Sequence, residues 1–192
     1  MTVLTREAAW ALLTEFMSNG NLIKHELAVE AAMRAYARRF HEDEELWGIV
    51  GLLHDFDYER YPDMSQHGLV GAQILAERGY PPQVVHAIKA HNPAHGEPRT
   101  TLLDRTLFAV DELTGLIVAV ALVRPTKSLL DVDVQAVRKK WHDGAFARGV
   151  NRADIEAGAT ELGVALDEHI AVTLQAMQGI AAELGLAGKG RS

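Results

Sequence analysis

Six side chains stand out for the chemistry they could do: His25, the adjacent pair His54 and Asp55, then His67, His91 and Asp111. Most share the apolar stripe of a segment with helical period. His25 lies on one face with Leu22, Val29 and Met33, His67 with Val70, Ile74 and Leu75, and His91 with Val84 and Ile88. Asp111 sits among Leu107, Val110 and Thr114. An inward carboxylate without a partner is costly or surrenders its charge. One metal ion shared by several inward groups would compensate them together. A lone inward histidine is ordinarily a hydrogen-bonded core residue, and a lone aspartate can cap a neighbouring helix. Four such helices in succession, with a His–Asp pair besides, weigh against that reading. Imidazole nitrogens and carboxylate oxygens suit zinc, iron, manganese and magnesium. Asp55 offers two oxygens and can bridge two ions, and His54 reaches toward a metal from the same anchor. Asp55 and His54 are therefore expected closest to the chemistry.

The elements that must position these groups are helices, since strand-like alternation is nearly absent. A first helix starts after Thr5 and turns Ala9, Leu12, Leu13, Phe16 and Met17 inward. A second covers about residues 21–40, burying Leu22, Val29, Met33, Tyr36 and Phe40. A third starts near Asp43 and carries Leu46, Val50 and Leu53 into His54. Residues 57–65 read as a loop. A fourth helix is expected over 66–78, stopped by Gly79, and a fifth from Pro81-Pro82 to just before Pro93. A long helix over about 101–123 is closed by Pro125. Asn151 caps a short helix, and an amphipathic one covers about 166–184. Residues 188–192 should fray. The expected fold is all-α: an HD-type helical bundle of residues 1–125 carrying the metal, with 126–192 a helical extension packed on it.

Composition removes several function classes. With no cysteine, disulfides, thiolate zinc sites, iron–sulfur clusters and cysteine nucleophiles are excluded. A net charge of −7 argues against nucleic acid or a membrane surface as partner, since both want a positive footprint. A small anionic substrate remains compatible, because a metal centre supplies positive charge locally. The N-terminus has no basic-then-apolar leader, and the longest apolar stretch, residues 116–123, is too short for a bilayer. A cytoplasmic chain is expected, of no specified oligomeric state. Arg124, Lys127, Lys139 and Lys140 are the basic residues expected nearest a substrate phosphate. His41, His86, His95, His142 and His169 are expected to face solvent, and Asp57 and Glu59 to lie in a solvated turn. Glu112 is placed equally well beside the ligands or on the helix surface.

Gly51-Leu52-Leu53-His54-Asp55, with His25 upstream and Asp111 downstream, resembles the signature of the HD superfamily of metal-dependent phosphohydrolases over roughly residues 20–125. The stretch from Phe108 to Gly115 and on to Arg124-Pro125 is similar to a bacterial subgroup of predicted HD hydrolases. That likeness continues near Lys139-Lys140 and over 146–152. The resemblance implies a core metal site of His25, His54, Asp55 and Asp111. It makes His67 and His91 the extra histidines of two-metal members, so two divalent ions per chain (Fe, Mn, Zn or Mg). The implied activity is hydrolysis of a phosphate ester of a small metabolite or nucleotide by activated water. The same four histidines and two aspartates also resemble the di-iron HD oxygenases that act on a small polyol or an organophosphonate, which is the alternative. The phosphonate-cleaving ones place a tyrosine before the first histidine, and this chain has none before Tyr36. Gly79-Tyr80-Pro81 spells the signature of the cyclic-dinucleotide phosphodiesterases. His91-Asn92, however, stands where that branch has a His–His pair. The triplet is therefore read as a helix stop followed by a proline start.

Overall fold

Polar caps and a few special backbone angles set where the helices begin and end. In the computed structural model, which describes residues 4–188, α1 (Arg6–Phe16) starts where the Thr5 hydroxyl accepts the Ala8 amide. Asn19 caps α2 (Gly20–Phe40), and Asp43 caps α3 (Glu44–Leu53). α4 (Leu69–Glu77) begins at Gly68, whose φ of +85° only glycine adopts without strain. α4 ends in paired backbone bonds from Gly79 to Ala76 and from Tyr80 to Leu75, with Gly79 left-handed. α5 (Pro82–His91) follows with Pro82 in its first position, so the Gly-Tyr-Pro triplet is a helix junction. A reciprocal box of Thr101 and Asp104 opens α6 (Leu102–Leu122). Asp133 caps α7 (Val134–Trp141), Asn151 caps α8 (Arg152–Leu162), and α9 (Leu166–Gly179) completes an all-α fold with no strand among the described residues.

Three expectations change. α4 starts three residues later than residue 66, because the chain turns at Gly68, so His67 lies in the turn before the helix rather than on it. The last helix stops at Gly179 and continues to residue 185 as turns. Lys139 and Lys140 lie on a helix of their own, α7, in a segment where the sequence pattern predicts none. Beyond Gly188, the tail expected to fray lies outside the described residues.

The core has two parts that meet along α6. Its first half gives Leu103, Leu107 and Val110 to a cluster with Leu12 and Leu13 of α1, Met33 and Tyr36 of α2, Leu52 and Leu53 of α3, and Ile88 of α5. Its second half gives Leu113, Leu116, Ile117 and Val120 to a cluster with Val137 of α7, Ile155 of α8 and Ile170 and Leu174 of α9. Each fully buried side chain of this size stabilises by about 1.5–3 kcal/mol. Asp111 falls on α6 where one cluster gives way to the other. α2 and α3 approach closely: a Cβ on Gly51 would stand 2.9 Å from the Glu30 backbone. That approach brings the end of α3 against the start of α2, where His25 sits. No helix among the described residues is long and apolar enough to cross a membrane.

Candidate metal centre

All six residues singled out by type and spacing converge. His25 comes from α2, His54 caps α3, Asp55 follows it, His67 precedes α4, His91 ends α5, and Asp111 comes from α6. The Asp55 carboxylate is the hub. Its Oδ1 lies 3.0 Å from Nε2 of both His67 and His91 and 3.4 Å from Nε2 of His54. Asp111 Oδ1 lies 3.0 Å from His25 Nε2 and 3.5 Å from His54 Nε2. The groups form two triads with Asp55 in common, His25–His54–Asp55 and Asp55–His67–His91, each with its donor atoms within 4.8 Å of one another.

The far side of every ring is fixed. His54 Nδ1 is 2.9 Å from the Gly51 carbonyl, and His91 Nδ1 is 2.5 Å from the Ile88 carbonyl. His67 Nδ1 meets Asp57 at 2.8 Å, and His25 Nδ1 meets the Thr114 hydroxyl at 3.4 Å. Carbonyl and carboxylate oxygens only accept here, so the facing Nδ1 atoms of His54, His67 and His91 carry hydrogen, and Nε2 is left for the centre. Two atoms at that centre, His54 Nε2 and Asp55 Oδ1, are buried without any hydrogen bond, although their neighbours crowd to 3.0–3.5 Å. Electron pairs directed at one another this closely need a positive charge between them. The donor set, nitrogen and oxygen with no sulfur, fits a divalent cation.

The electrostatics say the same thing in protons. Burial alone would strip His54 of charge, but Asp55 and Glu26 reverse this and hold its pKa well above the usual histidine value. His67 is likewise opposed by burial, yet Asp55 and Asp57 push it up to about 10. Burial would raise the Asp55 carboxyl, and His54, His67 and His91 hold it well below the usual range instead. Burial would also raise Asp111, which His25 and His54 hold low. The cluster attracts positive charge strongly, and protons and divalent ions compete for the same places.

Two carboxylates outside the set expected from the sequence stand behind the cluster. Asp57, expected in a solvated turn, is fully buried. Besides His67 it accepts the amides of Gly68 at 2.9 Å and Gly71 at 2.8 Å, capping α4 from outside the helix. The turn folds beneath α4, which sequence spacing does not reveal. Glu26 is also fully buried, with Oε2 2.9 Å from His54 Nδ1. It stands four residues after Leu22 and three before Val29, so the apolar stripe of α2 does flag it. Glu59 does lie in an exposed turn and turns away, accepting the amides of Ser18 and Asn19.

A cavity of about 450 Å³ opens over the cluster. Beyond the ligand set, its wall includes Tyr58, Asn92, Phe108, Glu112, Asn151 and Asp154. Glu112 thus faces the cavity, where its carboxylate accepts the Asn151 amide at 3.1 Å. Among the described residues, no lysine or arginine lines this cavity. Arg124, Lys139 and Lys140, expected near a substrate phosphate, line a different one, and Lys127 is exposed and lines neither. The reason is the length of α6: from Asp111 to its end at Leu122 the axis rises about 17 Å.

Of the other histidines, His41 and His142 are exposed as expected. His86 is half-buried, 3.1 Å from Asp104. His95 is half-buried too, with Nε2 2.7 Å from the His67 carbonyl. His169, also expected in solvent, is fully buried between α2 and α6. Its Nε2 meets the Ala109 carbonyl at 2.8 Å and its Nδ1 meets the Tyr36 hydroxyl at 2.6 Å.

Residues 22–116 match the family model of the HD domain, a span that contains all six converging residues. The chain belongs to the HD-domain superfamily. No significant match was found among curated proteins or among solved structures. HD domains are all-α and make up a family of metal-dependent hydrolases. In this HD protein, Asn151 and Asp154 on the cavity wall come from beyond the matched span.

Proposed function

We propose that this HD domain hydrolyses a phosphate ester of a small metabolite or nucleotide, using two divalent metals that share Asp55. The observation that carries the reading is the position of Asp55 Oδ1, buried, without a hydrogen bond, and within 3.4 Å of three imidazole nitrogens. His25, His54 and Asp111 would hold one ion and His67 with His91 the other. Such a metal pair, when bound, lowers the pKa of water and polarises a phosphoryl oxygen.

The chain's own residues do the rest. Gly51, Ile88 and Asp57 lock three imidazoles so that Nε2 faces inward, and Glu26 backs His54. The cavity walls admit a small substrate, and Phe108 gives them an apolar surface. Since the walls offer no lysine or arginine, the charge on the phosphoryl group falls to the metals. The neutral Tyr58 and Asn151 border the remainder of the substrate.

The test is an assay of protein loaded with manganese or with iron, against a panel of phosphate monoesters, in air and under nitrogen. Turnover without oxygen is expected. Activity that needs both iron and oxygen, on a polyol or an organophosphonate, would overturn the hydrolase reading and make the domain an oxygenase.

A further inference from the structure

We propose a second binding site, for a small phosphate-bearing anion, in the cavity between the end of α6 and α7. This cavity measures about 520 Å³, and its walls combine Arg124, Lys139 and Lys140 with the apolar Val120, Val123 and Pro125. It shares no lining residue with the cavity over the metal cluster.

The ionic pairing of the chain leaves these cations without close carboxylate partners. Acids outnumber bases, 26 to 19, and Arg6, Arg34, Arg38, Arg39, Arg78 and Arg99 each hold a carboxylate at 3.0 Å or closer. Arg124 and Lys139 pair with no carboxylate among the described residues, and Lys140 reaches Asp143 only at 3.6 Å. Arg124 is half-buried, and its Nε is sealed from solvent without an acceptor. A sealed donor on a permanent cation is costly unless an acceptor reaches it. Asp133, the one acid among the described lining residues, pairs with none of these cations; its Oδ1 accepts the Ala136 amide at 2.7 Å to cap α7.

The ligand chemistry follows from the donors. A guanidinium fork with two ammonium groups matches the several oxygens of a phosphate, and one carboxylate would leave donors unused. Val123 and Pro125 would then pack against the ligand's uncharged part. Leu122, Val123 and Leu130 are exposed nearby, so the phosphate could belong to a soluble metabolite or to a lipid headgroup. A cavity of this volume can take a whole small molecule, which favours the soluble ligand.

The experiment titrates the full chain calorimetrically with inorganic phosphate, beside Lys139→Gln, Arg124→Gln and Arg124→Lys. Lys139 is exposed, so its variant tests the site even if the arginine variants fold poorly. Both glutamine variants should weaken phosphate binding roughly tenfold, the scale of one lost charge-assisted contact. Arg124→Lys should recover part of the loss. An Asp111→Asn variant, which disturbs only the metal cluster, should keep this binding. Affinity unchanged in both glutamine variants, or abolished only by Asp111→Asn, would overturn the proposal. In a second arm, vesicles of phosphatidylcholine with phosphatidic acid are sedimented with the protein. Co-sedimentation lost in Lys139→Gln would place the phosphate on a lipid and overturn the soluble ligand.

Discussion

At the scale of single residues, His67 decides how many metals the cluster can hold. It contributes to one triad only, whereas Asp55 contributes to both. His67→Ala should therefore lose one of two ions per chain and keep the other, as read by metal analysis of the purified variant. A single ion in both wild type and variant would reduce His67 and His91 to packing or substrate contacts. Asp57 holds His67 from behind and caps α4 with its second oxygen. Asp57→Ala should weaken the second ion's binding by about 10–100-fold and cost roughly 3 kcal/mol of stability, because it strands two buried amides and an imidazole. A variant as stable as wild type by urea titration would mean the turn is held otherwise. The six converging residues were readable in the sequence because ionisable groups on apolar stripes violate the rule that orders everything around them. Asp57 was not, because its partners at 67, 68 and 71 are set by the path of a turn, which has no period.

At the scale of helices, caps and prolines were legible to within a residue or two at Thr5, Asp43, Thr101 and Asn151, whereas the Asp133 cap was missed together with its helix. The start of α4 was not legible either, since Gly68 and a distant aspartate replace the local cap. His169 shows the same limit for packing. Its neighbours in sequence are polar enough to suggest solvent, yet α9 lays it against α2 and α6. The Ala109 carbonyl can only accept, so Nε2 carries the hydrogen and Nδ1 receives the Tyr36 hydroxyl. The ring is neutral and satisfied, and burial pushes its pKa down to about 4. The unfolded chain binds this proton near pH 6.5 and the folded chain only near 4, so the stabilisation is complete above 6.5. It is lost as pH falls through that window, by about 3 kcal/mol in all. Urea titrations of wild type and His169→Gln from pH 7 to 4.5 should converge as the pH falls. Parallel curves would show that the ring titrates in the folded chain as it does in the unfolded one.

At the scale of the whole molecule, the six converging residues come from α2, α5, α6, the turn that ends α3 and the turn before α4, so no single element holds a complete site. α6 joins the two halves of the core, and Asp111 stands at their junction. Unfolding would scatter these donors, and an ion held only by the folded chain stabilises it by mass action. With free metal about a thousandfold above its dissociation constant, that contribution is about 4 kcal/mol. For a chain of this length each kcal/mol moves the melting temperature by about 2–4 °C. Exhaustive chelation, with metal loss confirmed by analysis, should thus lower the melting temperature by roughly 10 °C and abolish hydrolysis together. Restoring the metal should restore both. Separate outcomes are informative: lost activity with an unchanged melting temperature would mean that the ions sit at the mouth of the cavity. Their ligands would then be half-buried wall groups such as Asp154, and the buried atoms of His54 and Asp55 would be satisfied by protons alone.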